Sequence, residues 1–128
     1  MVTGRLVDSA RYRALEHAAG SRFIEVLDQR ALPHAVEKLR IADVGAAATA
    51  IRNMTVRGAP LIGAVGAYGL ALALDADSSD EALARAHAML DATRPTAVNL
   101  RWALDRVRER VALVKFAVRA DAAWVEAD

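Results

Sequence analysis

The chain has 128 residues, enough for one domain with its own core. Apolar residues make up 55% and charged residues 26%, a globular rather than a disordered composition. The net charge of +1 excludes a strong global pull toward nucleic acid or a membrane, and the lack of cysteine excludes disulfides and thiol chemistry within these residues.

The first part reads as β. A strand is expected around Arg5 to Val7, and Ser21–Leu27 alternates weakly as a second. Residues 28–33, ending in Pro33, supply turn chemistry, and Val36–Ile41 alternates again and returns antiparallel as a hairpin. From Asp43 the period becomes helical. Asp43 can cap a short helix with Val44, Ala47, Ala48 and Ile51 inward, ending near Met54. A second helix is expected from about Pro60 to Leu74. The uncharged run 58–74 has membrane-like composition, yet it is short for a span, holds four glycines and lacks flanking anchors, so it reads as a buried helix.

Glycine within a helix costs roughly 1 kcal/mol relative to alanine. Gly63, Gly66 and Gly69, three residues apart, are therefore expected where a neighbouring element approaches closely. A third helix starts near Ser78 or Ser79, with Leu83, Ala86, Met89 and Leu90 inward, and Thr93-Arg94-Pro95-Thr96 breaks it. Thr96 can cap a fourth helix, with Asn99 assisting the cap in preference to facing a ligand, and with Leu100, Ala103, Leu104, Val107 and Val111 inward and Trp102 in the core. That helix continues to Asp128 or breaks around Val114. The fold class is α+β: a β-rich element over 1–42 and a helical bundle over 43–128, together one domain.

Two loops carry the chemistry. Thr55-Val56-Arg57-Gly58-Ala59-Pro60 combines a turn-permissive glycine, a proline suited to a first helical turn, and an arginine. Unpaired amides and the dipole at a helix start favour phosphate, and a guanidinium can grip it in bidentate fashion. The same residues fit a plain loop-to-helix junction equally well. Arg94 occupies a second such junction, and antiparallel packing of the intervening helix could bring both arginines to one anion. Spacing alone leaves that open. His17, His34 and His87 lack metal-ligand spacing and read as surface or turn residues, and Tyr68 reads as core with its hydroxyl satisfied at the edge. Asp28 and Gln29 are adequately explained as turn residues, and Arg101, Arg106, Arg108 and Arg110 as a solvated face.

Three blocks change the balance: Leu27–Pro33 (LDQRALP), Ala50–Gly63 (AIRNMTVRGAPLIG) and Arg94–Arg106 (RPTAVNLRWALDR). In this order they resemble methylthioribose-1-phosphate isomerase, a methionine-salvage family related to the regulatory subunits of translation initiation factor 2B. The resemblance implies that Arg57, Gly58 and Ala59 form part of the substrate-phosphate site and that Arg94 also contacts substrate. It implies aldose–ketose isomerisation of a sugar 1-phosphate without metal or cofactor, in a cytoplasmic enzyme that is a homodimer at full length. In that family catalysis belongs to a cysteine and an aspartate of a following Rossmann-like domain. With no cysteine and no aspartate beyond 128, the sequence offers no catalytic residue and reads as an N-terminal fragment, inert by itself. Alternatives are a regulatory subunit sensing a sugar phosphate or nucleotide, an isomerase of another pentose 1-phosphate, and a helical interaction module docking through its glycine-rich face.

Overall fold

The computed structural model describes residues 14–31 and 34–128. The strand expected around Arg5 to Val7 and the stop at Pro33 lie outside them. Three short strands, β1 (Leu15–Glu16), β2 (Ile24–Leu27) and β3 (Lys38–Ile41), form one antiparallel sheet in chain order. The expected hairpin is β2 with β3, in which Ile24 pairs with Ile41 and Val26 with Leu39. Both strands are shorter than the alternation suggested. Ser21 is taken by a turn, where its hydroxyl donates to the carbonyls of Ala18 and Phe23. β1, which the sequence reading did not anticipate, adds through Leu15 opposite Val26.

Five helices follow: α1 (Val44–Arg52), α2 (Ala59–Ala76), α3 (Asp80–Asp91), α4 (Val98–Ala112) and α5 (Phe116–Ala127). Asp43 caps α1 by accepting from the Ala46 amide at 2.7 Å, and Ser79 caps α3 by accepting from the Ala82 amide at 3.1 Å. α2 is the central helix, and its apolar residues face all four others. Although long and apolar enough to cross a membrane, it is spent on this core.

The glycines of α2 mark its closest approaches. A Cβ on Gly63 would stand 3.2 Å from the Asn99 carbonyl oxygen, and one on Gly66 2.5 Å from Leu100 Cδ1. One on Gly69 would stand 3.1 Å from both Ala47 Cβ and Leu90 Cδ1. Gly63 and Gly66 thus admit α4 on one flank, while Gly69 admits α1 and α3 on another. Glycine here serves packing, as its spacing suggested.

Several expectations fail for geometric reasons. Trp102 is 61% exposed rather than core, because it stands about 200° around α4 from both Leu100 and Leu104, which are fully buried. Met89 is 41% exposed, one residue off the α3 stripe of Leu83, Ala86 and Leu90. Neither Thr96 nor Asn99 caps α4; its N-cap is Ala97, with no side-chain bond. Pro60 takes the second helical position, after Ala59. The chain breaks at 113–115, and α5 returns to pack on α2 and α4.

Trp124 of α5 is buried, with its indole N–H donating to Asp75 at 2.9 Å. Two histidines are likewise not surface groups. His17 stacks on Trp124 with ring centroids 4.6 Å apart, and its Nδ1 lies 2.7 Å from Asp128. His87 lies 2.8 Å from Asp105. Tyr68 is buried as expected, its hydroxyl donating to Asp128 at the edge at 2.5 Å.

Candidate functional site

The segment between α1 and α2 is a tightly tied loop. α1 ends at Asn53, whose side-chain oxygen accepts from both the amide (3.0 Å) and the hydroxyl (2.7 Å) of Thr55. Met54 between them has φ 67°, a left-handed conformation uncommon outside glycine. Thr55 and Val56 are fully buried, and the Val56 amide reaches back to the Ala50 carbonyl at 3.3 Å. Gly58 then turns the chain into α2 with φ 94°, which only glycine adopts cheaply.

The turn after β2 braces this loop. The Gln29 amide donates to the Thr55 carbonyl at 2.7 Å, and Arg57 Nη2 donates to the Gln29 carbonyl at 3.4 Å. Asp28 fixes the turn by gripping Arg30 through Nε (3.0 Å) and Nη2 (2.9 Å). The Arg30 hydrogen bond holds the Asp28 carboxyl below its ordinary range. Arg30 is therefore committed to its own carboxylate. Asp28 and Gln29, which the sequence explained as turn residues, are turn residues that also support Arg57.

Arg57, Gly58 and Ala59 are exposed at the start of α2, and no side chain among the described residues caps that end. Arg94 is partly exposed in the turn before α4, which also starts uncapped. By contrast, α1 and α3 spend a carboxylate and a hydroxyl on their own starts. The Arg94 guanidinium has no hydrogen-bond or ion-pair partner among the described residues. Its turn is pinned by Arg101, which bonds Asp91 Oδ2 at 3.2 Å and the Pro95 carbonyl at 3.3 Å. Arg101 is exposed, as expected for a solvated face, and it also sets this turn.

The two starts are neighbours. Gly63 in the second turn of α2 meets Asn99, the second residue of α4, and further along Gly66 meets Leu100 and Leu104. The first turns of α2 and α4 therefore pack against each other, and Arg57 and Arg94 stand in the loops that precede them. A cleft of about 610 Å³ opens from Ala59 and Pro60 and runs between α2 and α4. Asn99 and Trp102 line one wall, and Arg106, bonded to Glu126 at 2.6 Å, crosses its far part. Arg57 and Arg94 lie outside this cleft, at the helix starts themselves.

Comparison with known proteins adds to this geometry. Methylthioribose-1-phosphate isomerase of Dechloromonas aromatica is 52% identical over 121 residues, covering 94% of this chain and 33% of that protein. The crystal structure of 5-methylthioribose 1-phosphate isomerase from Pyrococcus horikoshii superposes with a TM-score of 0.80 at 35% identity, covering 90% of this chain and 34% of that one. The delta subunit of translation initiation factor eIF-2B from A. fulgidus also gives 0.80, at 33% identity, covering 90% and 35%. The chain spans about a third of the length of the curated relatives it matches. The architecture, a three-stranded antiparallel sheet with five helices, is the α+β arrangement expected from the sequence. Matched by the family's model from Thr55 in the arginine loop to Trp124 against the core helix, the chain belongs to the initiation factor 2 subunit family.

Proposed function

We propose that this chain is the phosphate-binding N-terminal portion of an aldose–ketose isomerase that converts 5-methylthioribose 1-phosphate to 5-methylthioribulose 1-phosphate in methionine salvage. The observation that carries the reading is the pair of uncapped helix starts set side by side, each preceded by an arginine. Two bare helix ends present unpaired amides and aligned dipoles to the same space, which favours a dianion. Arg57 and Arg94 add guanidinium forks, and the Gly58 and Ala59 backbone can approach closely because neither carries bulk.

In this reading Arg57, Gly58, Ala59 and Arg94 bind the phosphate and so orient the sugar. Fixing that end places the first two carbons for proton or hydride movement, a contribution of positioning and electrostatics. The resemblance assigns the proton-moving groups to a cysteine and an aspartate of a second domain, and this sequence holds no cysteine. We assign the chain binding alone, with no turnover by itself and no role for a metal or a nucleotide cofactor. A cytoplasmic homodimer is the expected setting of the full-length enzyme.

The likeness to an initiation-factor subunit, at 33% identity, gives weaker support to a second reading, a regulatory subunit that senses a sugar phosphate or nucleotide at the same helix ends. The test of the shared site is an amide NMR titration of this chain with inorganic phosphate. Shifts are expected at Gly58, Ala59 and Leu61 and in the turn of Arg94. Unchanged positions at both loops overturn the proposal. Turnover of methylthioribose 1-phosphate by a longer protein carrying this domain separates isomerase from sensor.

A further inference from the structure

We propose that Asn53 is a positioning residue of the anion site, its carboxamide holding the Arg57–Ala59 segment in binding shape. The inference rests on the phosphate-site reading above and adds to it a residue that touches no ligand. Between Asn53 and Gly58 the chain takes positive φ twice, at Met54 (φ 67°) and Gly58 (φ 94°). The second is cheap for glycine. The first is disfavoured for methionine and persists only where its surroundings impose it.

Asn53 supplies that constraint. Its single oxygen accepts from the Thr55 amide at 3.0 Å and the Thr55 hydroxyl at 2.7 Å, bridging across Met54. Thr55 is fully buried, so without the carboxamide its amide and hydroxyl lose the one side-chain acceptor that spans Met54. From the other side, the Thr55 carbonyl takes the Gln29 amide at 2.7 Å. Thr55 is thus gripped at its amide, hydroxyl and carbonyl, and Arg57 follows two residues later.

The Arg57 side chain makes one hydrogen bond among the described residues, a long 3.4 Å bond to the Gln29 carbonyl. Its direction is therefore set by the backbone beneath it rather than by its own side-chain partners. With Asn53 gone, Met54 is free to leave the left-handed region, and Arg57 and the amides at the α2 start lose their common orientation. A looser loop must be ordered when the anion binds, which lowers affinity.

The test measures inorganic phosphate binding by amide shifts on this chain, well below its melting temperature. Asn53→Ala is expected to bind roughly three- to tenfold more weakly, the size of one or two lost hydrogen bonds. Asn53→Ser, whose hydroxyl can accept from the amide two residues on, is expected to recover part of the loss. On an Arg57→Ala background the same substitution should cost markedly less, because its effect passes through Arg57. A folded Asn53→Ala chain with unaltered affinity overturns the inference, and so does an equal loss on both backgrounds. If Asn53→Ala does not fold, Thr55→Val removes the hydroxyl end of the clamp alone, and unaltered affinity there overturns the inference equally. Absence of phosphate shifts in the unaltered chain instead overturns the anion-site reading, and this inference with it.

Discussion

The vacant Cβ position of Gly63 faces the backbone oxygen of Asn99 at 3.2 Å, and that contact brings the starts of α2 and α4 together. A fixed backbone oxygen lies opposite, so a side chain at residue 63 pushes the two helix ends apart. The proposed anion site thus depends on a glycine several residues away from either arginine.

In the proposed site, loss of either guanidinium removes charge-assisted bonds to the phosphate. Arg57→Ala and Arg94→Ala should each weaken sugar-phosphate binding by about 2 kcal/mol, and lysine should restore only part because it lacks the planar fork. Calorimetric titration of a longer protein carrying this domain checks this, and wild-type affinity in both variants refutes the site.

Gly66→Ala sets two effects against each other. Alanine improves helix propensity by roughly 1 kcal/mol, but its methyl would lie 2.5 Å from Leu100 Cδ1 and 3.3 Å from Leu104 Cδ2. Both leucines are fully buried, so neither can swing into water. Overpacking of about 1–3 kcal/mol should win, lowering the urea midpoint with little change in slope. A midpoint raised by the substitution contradicts the packing account.

Burial, together with the bond to Asp128, pushes the Tyr68 hydroxyl well above its ordinary range. A folded-state value raised above the unfolded one means that the folded chain holds this proton more tightly. The stabilisation is complete below the unfolded value of about 10 and is lost as pH rises beyond it. Denaturation midpoints should fall above that pH in the native chain and fall less in Tyr68→Phe. Ultraviolet titration should show a late phenolate step that the variant lacks.

The two tryptophans should report separately. Trp102 is 61% exposed and Trp124 only 4%. Trp102→Phe should leave a blue-shifted emission that acrylamide quenches poorly, whereas the native chain should show an additional quenchable component. Equal quenching of both chains contradicts the assigned exposures.

Much of the architecture was legible because it follows from local chemistry. Asp43 and Ser79 announce α1 and α3 as caps, the change of period at residue 43 separates sheet from helices, and the glycine spacing of α2 signals close neighbours. The errors share a different cause. Trp102 was placed in the core because it is aromatic, although its angular position on α4 opposes Leu100 and Leu104. β1 is two residues long and pairs through tertiary contact, so no periodicity betrays it. His17 and His87 are buried by Trp124, Tyr68 and α4, contacts between residues remote in sequence.

At the candidate site, the arginine and glycine of Thr55–Pro60 were readable from backbone chemistry and the resemblance. What the sequence did not disclose is support. Asn53, Arg101 and the backbone of Gln29 act by hydrogen bonds whose partners become known only once the loops are folded. An asparagine at a helix end signals a cap and nothing more.

The placement of α2 has a consequence for how the molecule comes apart. Its flanks are notched for different neighbours, with α4 against Gly63 and Gly66 and with α1 and α3 against Gly69. Peeling away any one partner wets a face that no other element can cover. Hydrogen exchange in its middle turns should therefore report only whole-molecule opening, making those amides the slowest to take up deuterium. The Arg57 loop would then sit at the rim of the least yielding part of the protein, free to flex only up to the point where that helix begins.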